Sequence, residues 1–457
     1  MTPTDGQPLL LAFYGDDFTG STDALESLAR QGVRTVLFTE PPSPADLQRY
    51  PDLRAFGVAG QTRAMSPVAM EAALRPALAS IQSCRPRFIH YKTCSTFDSS
   101  PEIGSIGRAI DVAIEVLGVR HVPVFVAAPD LGRYCAFGNL FARFGVEPEV
   151  YRLDRHPSMS RHPTTPMNEA DLRRHLARQT TRAVGLFDLP HLEMDEARRR
   201  DHLRQLRQAW EVVLIDGCNG AHLSAVGDLL AEFGRDGSAG DTTFIVGSSG
   251  VESALCDRWR RDGVCPGQAR FDPVAGGGPI LVVCGSCSPV TAQQIVHARG
   301  CGFVELPFDG AAAEALEHTL PTLVADAVRA LNAGRSVVLH SSGATGGAGR
   351  DRAADASTAP SIGRFLGTAA YRILAQSAVR RVLVAGGDTS SEIARVLKIR
   401  SVEMIGELTR GSPLCRASAP GSPADGREFT FKGGQIGPVD FFSRVERGTA
   451  ASSAQPE

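Results

Sequence analysis

The chain has 457 residues, well past the size at which one hydrophobic core stops growing, so two domains are expected. Its residues are 43% hydrophobic and 21% charged, and a formal net charge of -2 excludes a polyanion or membrane partner held by bulk electrostatics. No apolar run approaches the roughly 20 residues of a membrane helix. The opening MTPTDGQP lacks a basic region followed by an apolar stretch, so a cytoplasmic protein without a signal peptide is expected.

In chain order, strands and helices alternate. LLLAFY (9–14) reads as a strand and TDALESLARQG (22–32) as an amphipathic helix closed by Gly32. TVLFTE (35–40) and AFGVAG (55–60) read as strands, and MEAALRPALASIQ (70–82) as a helix. FIHYKT (88–93), VPVFVAAP (122–129), EVVLIDG (211–217) and TTFIVGSSG (242–250) are further apolar strands. A Gly/Pro-rich break without periodicity covers 265–279. Strands then resume at ILVVCGS (280–286), SVVLHSSG (336–343), RVLVAGGDTSS (381–391) and SVEMIG (401–406). The stretch 343–358 reads as a mobile loop. This pattern predicts two doubly wound, largely parallel-sheet α/β domains with a cleft between them. Their expected extents are 1–265 and 279–445, joined by a linker at 266–278 and followed by a disordered tail at 446–457.

In a doubly wound sheet, ligands bind at the carboxyl ends of the strands, and polar residues gather there in this sequence. GDDFTGSTD (15–23) follows the first strand, with Asp16 and Asp17 leading it. Arg63 follows AFGVAG, and Lys92, Ser95, Thr96 and Asp98 follow FIHY. Helix capping explains any one of these residues. The same bias at several strand ends points to a shared ligand. Carboxylates with hydroxyls suit a polyhydroxylated substrate, and Arg63 and Lys92 suit its carboxylate or phosphate. A Pro-broken basic stretch, YRLDRHPSMSRHPTTPM (151–167), adds Arg152, Arg155, His156, Arg161 and His162 on a loop. It lacks the interleaved aromatics of a nucleic-acid site.

The second half carries Gly-rich, hydroxyl-bearing turns: GSCSPVT (285–291), AGGDTSS (385–391) and FKGGQIG (431–437). Such turns let backbone N–H groups approach phosphate, which makes a nucleotide site the expectation although neither P-loop nor G-x-G-x-x-G occurs. Cys284 and Cys287 have C-x-x-C spacing, but the hydroxyls crowding that turn suit phosphate better than thiol exchange.

GDDFTGSTD resembles the ADDFTGATD signature of the four-carbon acid sugar kinases. KTCSTFDSSPEIGSIGRAID, HPTTPM, VGSSGV, CGSCSPVTAQQ, GGDTSS and KGGQIGPVDFF extend the likeness, in order, over nearly the whole chain. The resemblance implies an N-terminal domain that binds a sugar acid and a C-terminal domain that binds ATP. It also implies phosphorylation of the terminal hydroxyl of a threonate-, erythronate- or 3-oxo-tetronate-type acid. Asp16, Asp17, Arg63 and Lys92 would line the acid site, with Ser95 and Asp98 nearby. Ser286, Ser288, Gly386, Gly387, Asp388, Thr389, Gly433 and Gly434 would meet the nucleotide. Two departures stand out: Asp388 replaces the Glu of a GGETS turn, and AAPDLGRYCAFGNLFA (127–142) replaces a stretch resembling PAFPENGRTVYQGHLFV. The variant stretch, with LDRHPSMSRHP, resembles a subfamily of 3-oxo-isoapionate kinases.

Phosphoryl transfer leaves the protein mainly positioning and charge neutralisation to supply. Asp17 is expected to orient the attacking hydroxyl and accept its proton, with Asp16 holding neighbouring hydroxyls, Arg63 and the catalytic Lys92 neutralising the acid's carboxylate or the migrating phosphoryl group, and Mg²⁺ bridging the ATP phosphates. No residues are assigned to the metal. The extra charge of 151–167 favours a 3-oxo acid over its 3-hydroxy form, with Arg155, Arg161 and His162 as contacts. The rival class is a non-catalytic sugar-acid sensor responsive to ATP. The family habit implies a homo-oligomer, with neither nucleic acid nor membrane as a partner.

Overall fold

The computed structural model describes residues 8–144, 149–162, 164–234, 242–286, 288–309, 313–341 and 359–449. The expected loop at 343–358, Cys287 and residues 450–457 of the expected tail lie outside them. The chain divides into two compact units. The first takes Met1–Asp16, Ser27–Thr35 and Glu40–Ala269, and the second takes Asp17–Glu26, Val36–Thr39 and Arg270–Glu457.

The described strands begin with β1 (Leu11–Gly15), β2 (Thr35–Phe38), β3 (Ala55–Ala59), β4 (Phe88–Lys92), β5 (Val122–Phe125) and β6 (Arg133–Ala136). They continue with β7 (Asn139–Arg143), β8 (Val150–Arg152), β9 (Val184–Phe187), β10 (Val212–Ile215) and β11 (Thr243–Gly247). In the first unit the sheet order is β3-β1-β4-β11-β5-β10-β9, parallel at every pairing. Its central strands are buried throughout and mostly apolar, as a parallel sheet covered on both faces requires, with His90 and Lys92 of β4 as polar exceptions; Phe13, Phe56, Phe88 and Phe244 are among its core. The helices close with local signals. Ser105 caps Ile106–Leu117 by accepting from the Arg108 N–H at 3.1 Å, and Gly118 ends it at φ 68°. The helix expected from residue 22 runs Phe18–Arg30, starting a turn early because Asp17 accepts from the Gly20 N–H.

A second, three-stranded antiparallel sheet, β6-β7-β8, draws β6 and most of β7 from the stretch 127–142 that departs from the family pattern. Cys135 bridges to Gly217, two residues beyond the end of β10, so this small sheet stands at the carboxyl edge of the parallel one.

The second unit contributes β12 (Ile280–Cys284), β13 (Val304–Phe308), β14 (Val337–Ser341), β15 (Arg381–Ala385), β16 (Ser401–Thr409), β17 (Ser412–Ser418) and β18 (Glu428–Lys432). Its order is β13-β14-β12-β15-β18-β17-β16-β2. The pairings from β13 to β18 are parallel, whereas β17, β16 and β2 pair antiparallel. The core gathers Ile280, Val282, Ile295, Leu383, Phe441 and Phe442. The helix Phe441–Arg447 carries the chain into the stretch assigned to the tail, and Glu446 accepts a hydrogen bond from Ser336 at 2.5 Å.

At the amino ends of the second sheet, Arg381 pairs in register with Glu428, both buried. Arg381 Nε donates to Glu428 Oε2 at 2.8 Å, and its other nitrogens donate to the Val445 and Ala275 carbonyls at 2.7 and 3.0 Å. Glu428→Ala would strand a guanidinium that is 2% exposed. The expected loss of stability is about 3–5 kcal/mol. Urea unfolding measures it; a loss below about 1 kcal/mol would mean that water reaches Arg381.

Candidate active site

In the first unit, β1, β3 and β4 end side by side, with Gly15 opposite Ala59 and Lys92. The backbone fixes Asp16 beyond that edge: its N–H donates to the Lys92 carbonyl at 2.9 Å, and its carbonyl accepts from the Arg63 N–H at 3.0 Å. Its side chain then meets Arg63 in a two-pronged ion pair, Nη2 to Oδ1 at 2.7 Å and Nε to Oδ2 at 3.2 Å. Asp16 is buried and Arg63 keeps 26% of its side chain exposed. The pair therefore presents a held guanidinium, the geometry that recognises a carboxylate.

The loop after β4 supplies the second wall. Lys92 is buried, and its ammonium donates to the Thr93 carbonyl at 3.2 Å. Phe97 adopts φ 54°, a conformation costly for a bulky residue, and Asp98 beside it accepts from the Thr96 hydroxyl at 2.6 Å. Burial works to raise the Asp98 carboxyl, but Arg63, the Thr96 hydroxyl and His162 outweigh it and hold the group below its ordinary value. Burial and the Asp98 charge push the Cys94 thiol up to about 11. Ser95 is half-buried in the same loop.

The structure thus brings Asp16, Arg63, Lys92, Asp98 and His162 into one region of the first unit. His162 Nδ1 accepts from the Thr165 N–H at 3.1 Å, so its Nε2 is the ring nitrogen that donates. Arg155 and Arg161 lie exposed on short 3₁₀ turns at Leu153–Arg155 and Met159–Arg161. Asp17 belongs to the second unit. Its Oδ1 accepts from the Gly20 N–H at 2.6 Å and its Oδ2 from the Thr19 hydroxyl at 3.0 Å. A Cβ on Gly387 would lie 3.5 Å from that Oδ2, so Asp17 sits at the start of the helix Gly387–Val396.

The three glycine-rich turns of the second unit converge. Gly386 takes φ 122°, and a Cβ there would come within 2.9 Å of Thr389 Oγ1 and 3.3 Å of the Ser286 nitrogen. A Cβ on Gly285 would strike Thr389 Oγ1 at 2.2 Å, and one on Gly434 would meet Ser286 Oγ at 2.8 Å. Two helices, Pro289–Gly300 and Gly387–Val396, start from these turns. Ser288 caps the first, accepting from the Val290 N–H at 3.2 Å. Ser286, Gly387, Gly433 and Gly434 are half-buried, Thr389 is buried and Asp388 is exposed. Close turns without side chains, over two helix N-termini, make a cradle for phosphate.

Sequence reasoning passed over Lys432 and Gln294, both buried here. The Gln294 amide donates to the carbonyls of Ile436, Gly437 and Pro438 at 3.0–3.1 Å, fixing the third turn. The apolar FTF run leading into Lys432 was the available signal for the first. Cys284 is fully buried, and burial pushes its thiol up to about 12, so it stays protonated at neutral pH and is no redox nucleophile.

Residues 11–255 match the family model described as a sugar-binding N-terminal domain, and residues 281–442 match the nucleotide-binding C-terminal domain. The chain belongs to the four-carbon acid sugar kinase family. A 3-oxo-isoapionate kinase of Paraburkholderia graminis is 43% identical over 97% of this chain and 96% of that protein. A 3-oxo-tetronate kinase of Cupriavidus necator is 31% identical over 96% of each chain. Among solved structures, a Salmonella typhimurium LT2 protein superposes with TM-score 0.75 at 25% identity, covering 96% of this chain and 99% of its own. Haemophilus influenzae protein HI1011 shares the fold with TM-score 0.70 at 21% identity, over 95% of this chain and 99% of its own. This four-carbon acid sugar kinase is a phosphotransferase that acts on a hydroxyl of a sugar acid. Among its described residues no helix is long and apolar enough to cross a membrane.

Proposed function

We propose that this kinase transfers the γ-phosphoryl group of ATP to the terminal hydroxyl of 3-oxo-isoapionate, giving the 4-phosphate. 3-Oxo-tetronate, D-threonate and D-erythronate are the next candidates. The observation that carries the reading is the 43% identity to the P. graminis 3-oxo-isoapionate kinase, against 31% to the C. necator 3-oxo-tetronate kinase, each over nearly the full chain.

In this reading Arg63, held by Asp16, takes the acid's carboxylate, while Lys92, Ser95 and Asp98 bind its oxygens. Asp17 orients the attacking hydroxyl and accepts its proton. The turns at Ser286 and Ser288, at Gly386, Gly387, Asp388 and Thr389, and at Gly433 and Gly434 cradle the ATP phosphates. Mg²⁺ would be held by those phosphates, with Asp388 as the protein carboxylate, and would neutralise charge on the transferred group. Among the described residues no cluster of three or more His, Cys, Asp or Glu forms a metal cage, which fits an ion carried chiefly by the nucleotide. The enzyme would work in the cytoplasm, where ATP is supplied, as a homo-oligomer.

An ADP-release assay over 3-oxo-isoapionate, 3-oxo-tetronates, erythronate and threonate tests the reading. Turnover highest with 3-oxo-isoapionate supports it. Nucleotide binding without ADP release for any acid would turn the protein into the sensor alternative.

A further inference from the structure

Lys432 stands at the end of β18 and is fully buried. Its ammonium donates to Thr291 Oγ1 at 2.9 Å and to the Gly434 carbonyl at 3.2 Å. Thr291 in turn donates to the Gly434 carbonyl at 3.0 Å and lies 3.3 Å from Ser286 Oγ. One buried cation therefore joins β18 to two of the three converging turns.

Its surroundings do not neutralise it. Among the described residues no carboxylate forms an ion pair with Lys432, and both its partners are uncharged oxygens. Thr291 lies in the first turn of Pro289–Gly300, so the ammonium also faces the positive end of a helix dipole. A desolvated cation placed against partial positive charge is costly unless an anion arrives. An ammonium has three donors, and two are used here, so one remains for that anion. Burial has already pushed the group down to about 8, the response of a lysine short of negative charge.

We propose that Lys432 is the buried cation that receives the phosphates of the nucleotide, and that it sets the preference for ATP and ADP over adenosine. This rests on the reading of the second unit as the nucleotide half. A lysine serving only to fasten the Gly434 turn needs a donor and no charge, so Lys432→Gln would keep the ratio of ATP to adenosine affinity. A phosphate-receiving lysine needs its positive charge, so Gln and Met both lose the preference for ATP and ADP and Arg regains part of it.

Titration calorimetry with ATP, ADP and adenosine on the wild-type chain and on Lys432→Met and Lys432→Gln tests it. The expected result is a loss of roughly ten- to hundredfold in ATP and ADP affinity, with adenosine affinity unchanged. Lys432→Arg should restore part of the phosphate preference. The ratio of ATP to adenosine affinity is read within each folded variant, so a general loss of stability does not imitate the result. An unchanged ratio in Met and Gln variants that bind ATP overturns the proposal and leaves the nucleotide reading standing. Absence of ATP and ADP binding by the wild-type chain overturns both.

Discussion

Asp17→Asn is expected to lower kcat by about 10²–10⁴-fold, the range for removing a general base, with the fold retained. The substitution separates charge from structure. Asp17 accepts from the Gly20 N–H and the Thr19 hydroxyl, and Asn is as good a helix cap as Asp. What Asn lacks is the ability to accept the proton of the attacking hydroxyl. Asp16 should behave differently. Its carboxylate is committed to Arg63 at 2.7 and 3.2 Å, so Asp16→Asn loosens the guanidinium and should raise KM for the acid more than it lowers kcat. Steady-state kinetics on both variants distinguishes them. If Asp17→Asn keeps nearly full kcat while Asp16→Asn abolishes it, the roles exchange.

The second large effect concerns the acid. A site whose donors are built for a ketone rejects the reduced acid because those donors are left unpaired, by roughly 10⁴-fold or more in kcat/KM. The donors expected from the 151–167 loop differ in exposure. His162 acts on Asp98, and its Nε2 is the donating nitrogen, whereas Arg155 and Arg161 are exposed on their turns. His162→Phe should therefore cut the preference for 3-oxo acids far more than Arg155→Gln or Arg161→Gln. Equal or better kcat/KM for erythronate and threonate would remove the oxo-acid preference while leaving the kinase activity untouched.

The parallel strands were the most legible part of the sequence, because a strand buried on both faces writes itself as an uninterrupted apolar run. LLLAFY (9–14) became the strand Leu11–Gly15, whereas TTFIVGSSG (242–250) and RVLVAGGDTSS (381–391) are strands only over their apolar starts, Thr243–Gly247 and Arg381–Ala385. The small sheet β6-β7-β8 was not legible, and its turn shows why. Phe137 and Gly138 take φ 51° and 80°, a turn normally marked by Asn-Gly, and Phe137 is held there from afar. The Asp216 carboxylate accepts from the N–H groups of Phe137 and Gly138 at 2.6 and 2.9 Å, 78 or more residues away in sequence. Local pattern carries no trace of such a support. The antiparallel return β16-β17 is similar, since its Gly411 N–H is taken by Glu26, 385 residues distant. The same limit applies to Asp17. Reading GDDFTGSTD as one polar cluster could not reveal that Asp16 packs with the first unit and Asp17 with the second.

The polar cluster proposed as the acid site was legible as residue types at strand ends: Arg63 pairs with Asp16, and its charge reaches Asp98. Arg155 and Arg161 stand out in the sequence by charge density alone. Charge density in a Pro-rich loop is as easily solvated as used, and here both side chains face water. Lys432 was hidden for the opposite reason. The apolar FTF run before it was a signal, but a lysine reads as a surface residue until the burial of β18 is known.

Proton-coupled phosphorus NMR of a reaction containing this chain, ATP, Mg²⁺ and 3-oxo-isoapionate tests the central claim most directly. The account predicts ADP and a new phosphomonoester signal split into a triplet by two protons, the mark of phosphate on a terminal CH₂OH. ATP left intact, or converted only to ADP and inorganic phosphate, would contradict it.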